Sequence, residues 1–152
     1  MRNNIINWKA IVGAFLISIL AACAHQNPWE PMIVDSDLAF DFGSATLTEP
    51  GKKKIDTYMP SIINYRDVRL EIVGHSDRIG NDSANQRLSE QRAQAVANHI
   101  LATTKLKADQ IRVRGLGPRD PIVQCNQSNR QALIDCLAPN RRVEIRVTEL
   151  VP

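Results

Sequence analysis

Residues 74–83 read GHSDRIGNDS, a stretch holding one histidine, two serines and two aspartates. Three chemistries use such residues: a catalytic relay, a metal site, or a polar surface that recognises a ligand. A Ser-His-Asp relay needs members brought together from separate segments, whereas His75, Ser76 and Asp77 are neighbours leaving a strand and point to alternate sides. No G-x-S-x-G elbow accompanies any serine, and His25 and His99 lie far from the stretch. A hydrolase using Asp77 or Glu90 with water is the enzymatic alternative. Zinc is poorly served, since the chain has neither a C-x-x-C nor an H-x-x-x-H pair. GLGPRD, residues 115–120, is not a phosphate loop, because Pro118 and Pro121 stand where the following helix would begin. The reading is therefore of a protein that is not an enzyme and needs no cofactor or metal.

Recognition fits better. Asp77 falls at the carboxyl end of a strand, and the helix that follows carries Asn85, Ser89 and Arg92 on one stripe at i, i+4 and i+7. An acid, an amide and a guanidinium meeting at one sheet edge suit a small zwitterion: Asp77 accepts from an ammonium or amide, and Arg92 forks onto a carboxylate. The alternative is an internal Asp77–Arg92 salt bridge that only ties the loop to the helix.

The elements that would position these groups are legible in outline. LAFDF (38–42) alternates as a first strand, and Gly43-Ser44 turns the chain. Thr48 followed by Glu49 and Pro50 is a helix start. Ile55, Met59, Ile62 and Ile63 fall at helical spacing, with Pro60 expected to interrupt. VRLEIVG is a second strand with Val68, Leu70 and Ile72 on one face. Asn81 to Ser83 supplies caps for a long helix to about Thr103, with Leu88, Ala95, Val96 and Ile100 as its buried stripe. IRVRG is a third strand, and RVEIRV, with Val143, Ile145 and Val147 inward, a fourth. The order β-α-β-α-β-(short helix)-β predicts one α/β (α+β) domain with helices packed on a sheet of these four strands.

The first 22 residues read as an address and not as fold. Arg2 and Lys9 precede 13 apolar or small residues, Ala10 to Ala22, broken only by Ser18. That run is short for a bilayer span of about 20 residues and suits a secretory signal. It closes on Leu20-Ala21-Ala22-Cys23, which resembles a bacterial lipoprotein signal whose cysteine becomes the lipidated first residue. The expected organisation is a signal over 1–22, a lipidated tether over 23–36 and a single domain over 37–152. Ala24 to Ser36 holds two prolines and no periodicity, giving a reach of at most about 45 Å. The signal takes two of the 19 basic residues, leaving 17 against 16 acids, so nothing in the charge balance calls for nucleic acid. With Cys23 assigned to a lipid, Cys125 and Cys136 are left to pair, 11 positions apart. A disulfide there, in an oxidising compartment, is worth roughly 3 kcal/mol in the chain-entropy model. Zinc, the competing reading, would need two further ligands.

The stretch GHSDRIGNDSANQRLSEQRAQAV resembles the signature of the OmpA-like, or OmpA/MotB C-terminal, peptidoglycan-binding domain: Gly-His-Thr-Asp, Gly, Asn, Leu-Ser and Arg-Ala in that order. The similarity runs from about Leu38 to Val147, with AFDFGSATLTEPG as the opening strand and turn, GLG as the later turn and APNRRVEIRV as the closing strand. CNQSNRQALIDCLAPNRRVEI is most similar to the enterobacterial OmpA branch, which carries a disulfide at these two cysteines, and a lipid-anchored domain of this kind resembles the peptidoglycan-associated lipoproteins. The resemblance implies an α/β fold with a mixed four-stranded sheet that holds the diaminopimelate of the stem peptide non-covalently. Carried over, Asp77 and Arg92 are the central pair, Asn85 is the motif asparagine, Leu88 and Ser89 its Leu-Ser, and Arg141 the second basic contact. One position departs: the family commonly has Asn or Asp where this chain has Gly43, which puts a side-chain contact in doubt.

The resulting expectation is an outer-membrane lipoprotein, its domain facing the periplasm, that grips peptidoglycan. Ala24 agrees, since an aspartate there is the usual inner-membrane retention signal in enterobacterial lipoproteins. The rival expectation is an accessory subunit of a secretion, motility or Tol-like envelope machine working mainly through contacts with other envelope proteins.

Overall fold

The computed structural model describes residues 27–151, so the signal, Cys23 and His25 lie outside the described residues. The elements run β1 (Met32–Asp35), α1 (Ser36–Ala39), α2 (Glu49–Tyr58), β2 (Asp67–His75), α3 (Asp82–Thr103), β3 (Ile111–Gly117), α4 (Arg130–Leu137) and β4 (Arg142–Val151). They form one sheet in the order β1-β4-β2-β3, with β2 and β3 parallel and the other two pairings antiparallel. The parallel pair needs a crossover, and the 22-residue α3 supplies it.

Local chemistry sets the helix starts. The Thr48 hydroxyl accepts from the Gly51 amide at 3.1 Å with Pro50 in the first turn, and the Asn81 carboxamide accepts from the Ala84 amide at 3.0 Å. Pro60 interrupts α2 as expected, leaving a 3-10 turn over Met59–Ser61.

One layer of helix covers one face of the sheet. Met32 and Val34 of β1, Leu70 and Ile72 of β2, and Val143 and Ile145 of β4 are buried against Ile55, Met59 and Ile62 and against Ala93, Val96, Ala97 and Ile100 of α3. The expected strand faces hold, with Val147 half-buried. The α3 stripe is shifted: Leu88 and Ala95 are half-buried, while Ser89, Arg92, Ala93 and Ala97 join Val96 and Ile100 inside.

The first strand is elsewhere. LAFDF is not a strand; the strand is MIVD, within the stretch read as tether, and it pairs Met32 with Ile145 and Val34 with Val143. Asp35 is the cause. Its carboxylate accepts from the amides of Asp37 (2.7 Å) and Leu38 (3.2 Å), winding Ser36–Ala39 into a helical turn that only Phe40 leaves, for a single bridge to Leu47. The alternation therefore fails: Phe40 is buried, whereas Leu38 and Phe42 are exposed. The tether loses its last residues to the domain, and Asn27, Pro28 and Glu30 already lie beside Tyr58, Ser61, Ile62 and Val147. Among the described residues no helix is long and apolar enough to cross a membrane.

Candidate functional site

β1 and β2 both run antiparallel to β4, so the carboxyl ends of β1 and β2 and the start of β4 share one end of the sheet. The segments leaving those three ends carry Asp37, Asp77 and Arg141. α3 packs beside them because Gly74 and Gly115 have no side chain: a Cβ on Gly74 would sit 1.9 Å from the Ser89 carbonyl oxygen, and one on Gly115 would sit 2.6 Å from the Glu90 amide nitrogen. That approach brings Ser89 against the sheet and Arg92, one turn later, to the same end.

Arg141 is the hub. Its Nη1 donates to Asp77 Oδ2 at 2.7 Å and to the Ile134 carbonyl at 3.1 Å; its Nε donates to Asp37 Oδ1 at 2.9 Å and its Nη2 to Asp37 Oδ2 at 2.5 Å. The hydrogen bonds to Asp37 lead in raising its pKa above the usual guanidinium value, against the effect of burial. Asp77 is buried and its other oxygen accepts from the Ile79 amide at 2.8 Å.

Arg92 is only 6% exposed. Its Nε donates to the Ser44 carbonyl at 2.9 Å and the guanidinium stands 5.1 Å from the centre of the Phe40 ring. Burial lowers its pKa from the usual value, with Asp37 and then Asp77 opposing and Arg141 adding to the effect. The Asp77–Arg92 bridge weighed from the sequence is not formed; Asp77 pairs with Arg141, and neither terminal nitrogen of Arg92 makes a hydrogen bond among the described residues. Those terminal nitrogens have the donor geometry that a carboxylate can accept from.

The other expected site residues have internal partners. The Asn85 amide donates to the carbonyls of Asp77 (3.2 Å) and Ile79 (2.9 Å), holding the loop that aims Asp77. The Ser89 hydroxyl donates to the Gln86 carbonyl and accepts from the Gly117 amide at 2.9 Å, tying α3 to β3. Leu88 is half-buried on the same helix. His75 and Ser76 do not line up with Asp77: His75 lies beside Glu144, 3.6 Å away, and the Ser76 hydroxyl donates to the Asp77 carbonyl. Cys125 and Cys136 are disulfide-bonded, and among the described residues no three metal-ligating side chains are gathered. The loop they close touches the site on both sides, through Ile134 to Arg141 and through the Cys125 carbonyl, which accepts from Arg78 at 2.7 Å.

One residue was beyond the sequence reading. Asp37 was missed, since it stood just ahead of a supposed strand and 104 positions from the arginine it pairs with. Of the two adjacent arginines it is Arg141, the one carried over from the resemblance, that lies in the cluster; Arg142 turns the other way, to Glu144 at 2.6 Å. Gly43 has φ +67° with nothing within 4 Å of a Cβ position. Asn and Asp also tolerate that conformation, so glycine keeps the turn and omits only the side chain.

A two-layer α/β domain with a mixed-charge cluster at one sheet edge is the class that fold and site define. Within it, the chain belongs to the OmpA family, whose model matches residues 39–134. It is 43% identical over 134 residues to outer membrane protein A of Shigella flexneri, covering 85% of this chain and 38% of that protein. The chain thus spans well under two thirds of the curated relatives it matches. Among solved structures, the cell wall anchor of the T6SS from Pseudomonas aeruginosa superposes with TM-score 0.63 at 25% identity, covering 79% of this chain and 80% of that one. The peptidoglycan-associated lipoprotein from Burkholderia pseudomallei has TM-score 0.59 at 21% identity over 73% and 88% of the two chains, a likeness of fold alone.

Proposed function

We propose that this protein is an outer-membrane lipoprotein that binds peptidoglycan non-covalently through the far amino and carboxyl groups of diaminopimelate in the stem peptide. The observation that carries this is Arg92, buried with open terminal nitrogens beside the Asp37–Arg141–Asp77 bridge. The ligand's carboxylate goes to Arg92 and Arg141 and its ammonium to Asp77. Leu88 lies along the aliphatic part, and Asn85 and Ser89 hold the loop and helix in place. Family membership supports the reading.

Cys23 is the lipidation site, nine positions before Met32, so the lead from lipid to sheet reaches about 30 Å and not the 45 Å expected of a longer tether. Replacing Cys23 with serine is expected to abolish incorporation of labelled palmitate in cells; undiminished labelling would remove the anchor from this reading.

The main test is sedimentation of the purified protein with sacculi. Asp77→Asn and Arg92→Ala are each expected to weaken binding at least tenfold, the loss of one charge-assisted contact or more. Parent-like co-sedimentation of both variants would show that the wall is held elsewhere or not at all. The likeness to a T6SS cell wall anchor favours a second reading, a subunit of an envelope machine that uses the wall as its fixed point. In that case the Asp77 variant loses sacculi but still retains its protein partners in a pull-down.

A further inference from the structure

Arg141 marks a place where a cation is welcome. Its guanidinium lies 2.5 Å from Asp37 Oδ2 and 2.7 Å from Asp77 Oδ2, so those two oxygens flank one cation. An ammonium has three donors and no plane to satisfy, so one placed between the two carboxylates can donate to both. We propose that Asp37 is a ligand-contacting, specificity-determining residue: it and Asp77 together receive the ligand's amino group, at the place the Arg141 guanidinium shares in the unliganded chain. This rests on the zwitterion reading above and adds to it a second acid that the family signature does not contain.

Four observations support it. Asp37 has a half-exposed side chain while that of Asp77 is 10% exposed, so a ligand arriving from solvent meets Asp37 first. Its backbone is fixed before any ligand arrives: Asp35 caps the turn, the Ser36 amide donates to the Arg141 carbonyl at 3.0 Å, and the Phe40 amide closes on Ser36. An acceptor held this way loses little freedom on binding. Of the surrounding charges, Asp37 acts most strongly on Arg92, which sets it beside the cation meant for the ligand's carboxylate. Finally, the terminal nitrogens of Arg92 are open, so a ligand carboxylate can enter without displacing a protein acid.

The charge pattern then selects a group with amine and carboxylate on one carbon. A lone amine has two acids to hold it but leaves buried Arg92 unmatched; a lone carboxylate gains Arg92 but does nothing for the acids. A stem peptide ending in lysine is accordingly a poor ligand.

The test is calorimetry on the full chain with two synthetic stem peptides, one ending in meso-diaminopimelate and one identical but lacking the far amino group. Asp37→Asn is expected to weaken the first about fivefold to tenfold and to leave the second unchanged. If Asp37 only positions Arg141, both peptides weaken equally and the proposal is overturned, as it is if neither changes. Asp77→Asn and Arg92→Ala, run in parallel, separate the two layers. Parent-like binding of the first peptide by both variants sinks the site reading itself. Loss in both with Asp37→Asn unaffected sinks only the role given to Asp37.

Discussion

Gly74→Ala is expected to destabilise the domain by about 4 kcal/mol, above the ~1–3 kcal/mol usual for an overpacked core, because what the new methyl meets cannot step aside. A Cβ there would lie 1.9 Å from the Ser89 carbonyl oxygen and 2.7 Å from its carbonyl carbon, both backbone atoms in α3. Relief requires the helix to move off the sheet. That motion would break the bond from the Gly117 amide to the Ser89 hydroxyl and open the layer filled by Ala93, Val96 and Ala97. Small domains are stable by only about 5–15 kcal/mol, so such a loss is large. Gly115→Ala faces the Glu90 backbone nitrogen at 2.6 Å and should rank second. Gly43→Ala, with open space but φ +67°, should cost about 1 kcal/mol from backbone strain alone. Urea denaturation of the three variants checks the order. A Gly74→Ala midpoint within error of the parent would mean that α3 does not sit as closely on β2 as described.

That contact also explains why parts of the molecule could be read from the sequence and parts could not. The glycine of GHSD could be seen but not its purpose, since the clash it avoids is with a residue 15 positions later. α2 and α3 were legible because their starts are local: Thr48 and Asn81 bond to amides within three positions. β2 and β4 were legible because apolar residues alternate along each run in sequence, although both faces are buried where the strands near the site. β1 was not, because four residues are too few to show a period, and LAFDF alternated more convincingly while Asp35 was winding its beginning into a turn. The site divides in the same way. Asp77 and Arg92 stand within one strand-loop-helix unit, whereas Asp37 reaches Arg141 only because β1 and β4 pair antiparallel and bring their ends together. Local rules place caps and faces; pairings across the whole chain place the second acid.

On the sheet face away from the helices, His75 is expected to govern stability between pH 7 and pH 5, and the sign follows from its surroundings. Its side chain is wholly buried, and neither ring nitrogen has a hydrogen-bond partner. Burial first, then the charge of Arg142, pushes its pKa down to about 4, with Glu144 and Asp120 opposing and Arg146 adding to the depression. In the unfolded chain the imidazole titrates near 6.5. The folded protein therefore keeps His75 neutral where the unfolded chain has taken up a proton. The associated stability is complete above pH 6.5 and is lost as the pH falls towards 4, amounting to about 2 kcal/mol between pH 7 and pH 5. Glu144 acts lower down. Burial pushes its pKa up, but the hydrogen bonds from Arg142 and Arg146 outweigh that and hold it below the usual 4.5, so its contribution disappears only beneath that value. The two windows adjoin, and the upper one belongs to the histidine. His75→Leu, which fills the same space and carries no proton, should flatten the urea-denaturation free energy between pH 7 and pH 5. At pH 7 the variant should be about as stable as the parent, since no hydrogen bond is lost. If the two proteins lose stability in parallel over that range, His75 is not the group that the unfolded chain protonates at the expense of the fold.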